Sequence, residues 1–77
     1  MKELYCLNDM KPGQTARIAE LPSAKDIRRR LQDLGLIRHT LVQCVGKSPS
    51  GDPAAFLIRG AVIAIRAADG KEIQIER

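Results

Sequence analysis

Turn-forming residues cut this 77-residue chain into pieces so short that the choice of sheet is nearly made. Lys11-Pro12-Gly13-Gln14, Pro22, Gly35, the run from Lys47 to Pro53, Arg59-Gly60 and Asp69-Gly70 punctuate it from end to end. A parallel strand pair needs a crossover of about a dozen residues or more, and none of these pieces can serve as both strand and crossover. The sheet must therefore be antiparallel.

The pieces carry the matching patterns. Pro12 fixes one turn angle and Gly13 supplies the positive φ of a type II turn. From Thr15 to Leu21, Ala16 and Ile18 fall on one face and Arg17 on the other, before Leu21-Pro22 ends the strand. Thr40 to Val45, Ala54 to Ile58 and Ala61 to Ile65 are apolar and β-branched, with a tight turn or bulge expected at Arg59-Gly60. Asp69-Gly70 reads as a type I′ hairpin leading into Glu72-Ile73-Gln74-Ile75-Glu76, whose alternation predicts one wet face. One piece has a different period. Ser23 followed by Asp26 is a capping-box pattern, Ile27, Leu31 and Leu34 recur at helical spacing, and Gly35 suits the left-handed stop with Leu36 folding back. The spacing predicts a helix from Ala24 to about Leu34. Four or five short strands and one helix fit a mainly β, small SH3-like antiparallel barrel, a single domain over residues 1–77, with the helix covering one opening.

Charge is unevenly spread. The net charge is +4, and three of the four surplus positives fall between Lys25 and Arg38. Asp26 stands four residues before Arg30 and Asp33 four after Arg29, a spacing that allows local ion pairs. Lys25, Arg28 and Arg38 have no such neighbour, Arg30 borders the packing stripe, and Leu36-Ile37 offers two apolar residues where packing needs one. Lys25, Arg28, Arg30, Leu36, Ile37 and Arg38 are thus the candidate partner-docking residues; a merely solvated helix face is the competing interpretation.

Several chemistries find no footing. One histidine, His39, lies an odd five positions from Cys44 near one strand, which places the two on opposite faces and removes a thiol–imidazole pair. Two cysteines and one histidine fall short of a structural zinc set, no acids cluster, and no metal site or cofactor is expected. Cys6 and Cys44 read as free thiols of a reducing compartment. Pro49-Ser50-Gly51-Asp52-Pro53 lacks the lysine and following helix of a phosphate-binding loop. With one Tyr, one Phe and no Trp there is no stacking platform for bases. No apolar run approaches a membrane span, and the first nine residues lack the apolar stretch of a secretory leader, so cytoplasmic residence is the expectation.

Taken in order, Met10-Lys11-Pro12-Gly13, Arg29-Arg30-Leu31-Gln32-Asp33-Leu34-Gly35-Leu36, the Pro49–Pro53 loop, Arg59-Gly60-Ala61-Val62-Ile63-Ala64-Ile65-Arg66 and Ile73-Gln74-Ile75 resemble the FeoA family, the small ferrous iron transport protein A. The resemblance covers nearly the whole chain. It implies an SH3-like barrel without enzymatic activity. It also implies a cytoplasmic regulatory or assembly role beside a membrane ferrous iron transporter with a GTPase domain, ferrous iron transport protein B. No nucleic acid and no membrane insertion are implied, and the expected state is a monomer or weak oligomer. The chain departs from the family at Arg38-His39-Thr40, where Pro-Gly-Thr is usual. The alternative is a regulatory SH3-like module of a metal-dependent repressor.

Overall fold

A computed structural model describes residues 4–76. Residues 1–3, part of the stretch expected not to be a leader, and Arg77 lie outside them. The strands are β1 (Leu4–Cys6), β2 (Thr15–Glu20), β3 (Leu41–Lys47), β4 (Ala54–Ile58), β5 (Ala61–Ile65) and β6 (Gln74–Glu76). The helices are α1 (Lys25–Asp33) and the short α2 (Ala67–Gly70), and a 3-10 turn spans Leu7–Asp9. All six strands join one antiparallel sheet in the order β1-β6-β2-β3-β4-β5. Register irregularities between Ile18 and Glu20 and between Cys44 and Gly46 are bulges of the kind that bend a strand, and they let so small a sheet curl around its core.

The alternation anticipated from the sequence decides which face is buried. Ala16 and Ile18 of β2, Val42 and Cys44 of β3, and Phe56 and Ile58 of β4 all point inward, while Arg17 is exposed. Burying a side chain such as Phe56, Ile58 or Ile75 contributes roughly 1.5–3 kcal/mol each. The Lys11–Gln14 turn closes through the Gln14 N–H on the Lys11 carbonyl at 3.0 Å. Arg59 and Gly60 take φ of 52° and 86°, the two left-handed residues of a type I′ turn, so β4 and β5 form a tight hairpin.

Helix α1 stops as its sequence predicts and starts differently. Gly35, at φ 98°, donates its N–H to the Gln32 carbonyl at 2.9 Å, and Leu36 donates to Leu31 at 3.0 Å. That pair of bonds is a Schellman motif, and it drops Leu36 into the core beside Leu31. At the other end Ala24, not Ser23, is the cap position, with extended backbone and no side-chain cap bond. Ser23 therefore falls one residue short of the reach a capping box needs. Of the expected apolar stripe Leu31 is buried and Ile27 packs against the core, but Leu34 is 44% exposed because the chain turns away at Gly35 and Leu36 takes its place.

Asp69-Gly70 is not a hairpin. Strand β6 inserts between β1 and β2, with β2, β3 and β4 separating it from β5, and no two-residue turn spans that distance. The chain crosses instead through α2, where the Gly70 N–H bonds the Arg66 carbonyl at 2.9 Å, and the strand begins at Gln74 rather than Glu72. Two distant side chains hold this crossover. The Ala67 N–H donates to Asp52 Oδ1 at 2.9 Å, and Asn8 Nδ2 donates to the Ala67 carbonyl at 2.9 Å. A Cβ on Gly70 would collide with the Asn8 amide, which accounts for glycine at a helical position.

Two outcomes follow for urea melts. Gly35→Val forces a β-branched residue into the left-handed region and costs more than about 1 kcal/mol. Gly70→Ala costs about 1–3 kcal/mol by overpacking against Asn8, and the Asn8→Ala/Gly70→Ala double variant is more stable than the sum of the two single changes predicts, because the first substitution removes the obstacle to the second.

Candidate docking surface

Helix α1 turns about 100° per residue, so its buried Leu31 fixes where every other side chain points. Arg28 and Gln32 lie on one flank of that stripe, Arg30 on the other, and Lys25 and Arg29 face outward; all five are exposed. Arg28 and Gln32 meet the end of β2 and the turn beyond α1, and with Glu20, Leu21 and Arg38 they line an open cleft of about 400 Å³.

The turn that brings Arg38 there runs from Ile37 to Thr40 and is closed by the Thr40 N–H on the Ile37 carbonyl at 3.1 Å. His39 holds its third position at φ 71°, which a type II turn requires. Histidine, which tolerates positive φ less readily than glycine, thus holds the left-handed conformation here. Strand β2 secures it with one backbone and one side-chain bond: the His39 N–H donates to the Ile18 carbonyl at 2.8 Å, and Arg17 Nη1 donates to the His39 carbonyl at 3.0 Å.

Ion pairing differs from what spacing suggests. Neither Asp26 with Arg30 nor Arg29 with Asp33 forms a pair. On an exposed helix such pairs gain little, because two long side chains must be held in one geometry. Among the described residues Arg38 is the cation that is paired, to a residue 18 positions away: its Nη2 lies 2.6 and 2.5 Å from the two oxygens of Glu20. The hydrogen bond from Arg38 holds the Glu20 carboxyl below the ordinary glutamate range, and the charges of Arg38 and Arg28 act in the same direction. Arg28 is left facing the cleft without an ion-pair partner among the described residues.

The proposed residues accordingly separate. Arg28 and Arg38 share the cleft, Lys25 stands on the adjoining outer face, and Ile37 is 42% exposed on the turn. Arg30 lies on the opposite flank of α1. Leu36 is removed from the set, since it is wholly buried as the residue that seals the helix end. Glu20, Gln32 and the buried Leu21 join Arg28 and Arg38 in lining the cleft, while Leu34 is exposed toward the Arg30 flank at the end of α1. Glu20 escaped sequence reasoning because only the fold brings the end of β2 against the turn after α1. His39 is exposed and Cys44 is buried in the core, so the two do not meet. Among the described residues no three His, Cys, Asp or Glu side chains converge, and no helix is long and apolar enough to cross a membrane.

The Glu20–Arg38 pair sets a pH dependence. Because the folded state lowers the Glu20 pKa, the pair's contribution to stability is complete above the unfolded glutamate value and is lost as pH falls through the folded one. Carboxyl-carbon NMR titration finds Glu20 titrating below the ordinary glutamate range, and Arg38→Gln returns it toward that range; the difference shrinks in high salt because the pair is exposed.

The comparisons with known proteins agree with this architecture. A FeoA domain matches residues 5–77. A FeoA-like protein from Clostridium acetobutylicum, solved by NMR, superposes with a TM-score of 0.90 at 29% identity, covering 99% of this chain and 88% of that one. The zinc complex of Stenotrophomonas maltophilia FeoA, described as a prokaryotic SH3 domain protein, gives 0.76 at 24% identity over 92% of this chain and 88% of that one. A manganese-dependent transcriptional repressor shares the fold at a TM-score of 0.87 and 13% identity, over 99% of this chain and 42% of the repressor. A comparison with the curated proteins finds no match. The domain match over residues 5–77, on a curled six-stranded sheet of SH3-like form, places this chain in the FeoA family.

Proposed function

We propose that this chain is a cytoplasmic accessory protein of ferrous iron uptake, not an enzyme. In this reading it docks to the cytoplasmic GTPase-bearing region of the membrane ferrous iron transporter through the basic flank of α1 and the turn that follows. Family membership supplies the pathway. The observation that carries the docking site is that Arg28 faces an open cleft without an ion-pair partner among the described residues, with Lys25 one turn before it on α1 and Ile37 and Leu34 exposed just past the C-terminal end of the helix. Cations near the cleft speed encounter, and the apolar pair slows release. The cleft's own carboxylate, Glu20, is held by Arg38, and one carboxylate against the two guanidiniums leaves the cleft net positive.

The test leaves that pair intact. Lys25→Glu/Arg28→Glu weakens capture of the transporter's cytoplasmic region by about tenfold, mainly through slower association, while Ile37→Ser speeds dissociation. Both variants melt within about 0.5 kcal/mol of the parent, since the changed side chains are exposed. Binding by the parent falls only mildly between about 50 and 200 mM salt, unlike the steep loss that phosphate neutralisation on nucleic acid produces. Unchanged capture by both variants moves the docking site elsewhere.

A further inference from the structure

The last strand of the sheet on one side, β5, is built as if to be paired again. Its two-residue turn makes Ile58 and Ala61 a hydrogen-bonded pair, and the antiparallel alternation then makes Phe56–Ile63 and Ala54–Ile65 the next two. The N–H and C=O groups of Val62 and Ala64 consequently point away from β4. Among the described residues nothing bonds to them. Edge strands are ordinarily blunted by a lysine, a proline, a bulge or a covering segment. β5 reads Ala61-Val62-Ile63-Ala64-Ile65, pairs with β4 without interruption, and leaves Val62 64% exposed.

Its two ends carry the discriminating feature. Arg59, in the turn before β5, and Arg66, just after it, are both exposed, and neither makes an ion pair with any described residue. A second copy of this chain is a poor occupant. Antiparallel pairing of two β5 strands about Ile63 sets Val62 against Ala64, but it brings Arg66 of each copy opposite Gly60 and beside Arg59 of the other. Like charges would meet at both ends of a pairing between molecules that each carry a net charge of +4.

We propose that the β5 edge accepts an extended segment of a partner protein as a seventh, antiparallel strand, and that the segment it fits carries a carboxylate opposite Gly60 and another opposite Arg66. Main-chain bonds to Val62 and Ala64 would supply attachment, and the arginines would select the acidic ends. This site is separate from the cleft beside α1 and does not depend on it.

The probe is the capped heptapeptide acetyl-Glu-Thr-Val-Thr-Val-Thr-Glu-amide, whose valines fall opposite Ala64 and Val62, and its control is the same peptide with lysine at both ends. In ¹H–¹⁵N spectra the glutamate peptide shifts the Val62 and Ala64 amides and slows their hydrogen exchange, and it binds at least tenfold more tightly than its lysine twin at low salt. Arg59→Asn/Arg66→Gln erases that preference without harming the hairpin, because Asn-Gly is the favoured type I′ sequence. Lys25→Glu/Arg28→Glu leaves peptide binding unchanged, which keeps this site distinguishable from the cleft. Equal binding of the two peptides, shifts confined to other residues, no shift at all, or concentration-dependent protection of Val62 and Ala64 in the protein alone would each overturn the proposal, the last by showing that a second copy is the occupant.

Discussion

The reversal between α1 and β3 is the constraint on which the other parts of the molecule rest. In the stretch from Leu34 to Thr40 the chain must end a helix, bury one side chain and start a strand, and it does so with two left-handed residues, Gly35 and His39. The first sends Leu36 into the core through the Schellman bonds. The second is bonded on both its N–H and C=O sides to β2, through Ile18 and Arg17. The β2–β3 pairing that follows, from Arg17 with Leu41 to Thr15 with Gln43, continues the register set by the Ile18 N–H on the Thr40 carbonyl at 3.0 Å, next to the His39 bond. Packing of α1, placement of Arg38 and the alignment of the central strands are therefore one local problem with one solution.

Local chemistry made most of this legible in the sequence. The helix stop, the Lys11–Gln14 turn, the Arg59-Gly60 hairpin and the inward sets Ala16/Ile18 and Phe56/Ile58 depend on neighbours within a few positions, and residue type decides them. The features that escaped are those settled by partners far along the chain. Strand β1 exists by pairing with β6, some 70 residues away, and α2 exists because a crossover is needed and Asp52 and Asn8 grip its first residue. Asp69-Gly70 has good hairpin chemistry, but the sheet order gives a hairpin no neighbouring strand to serve. Ser23 failed as a cap by a single residue, since the backbone at Ala24 is still extended.

The candidate site shows the same division. Sequence spacing located the cations of α1 but assigned their neutralisation wrongly: among the described residues those with helical i,i+4 carboxylates are unpaired, and Arg38, with no such carboxylate, is paired. A local pair on a solvated helix must immobilise two flexible side chains for a weak attraction. Arg38 springs from a turn already fixed by its backbone bonds to β2 and faces a glutamate at the end of that same strand, so less freedom remains to be lost. Leu36 and Ile37, adjacent in sequence and both apolar, have opposite fates because the Schellman geometry admits only one of them to the core.

The two cysteines, free and unequal, make the molecule its own recorder of motion. Cys44 lies in the core on β3, its backbone registered against Phe56 of β4, with no exposed surface. A thiol reagent meets it only after the central strands part, so its modification rate counts openings of the whole core. Cys6 is half-buried at the end of β1, a three-residue strand held on one side, and it becomes reachable through fraying alone. Two unmutated side chains of one chemistry thus clock the slow, cooperative opening of the centre and the quick, local breathing of the rim in the same tube.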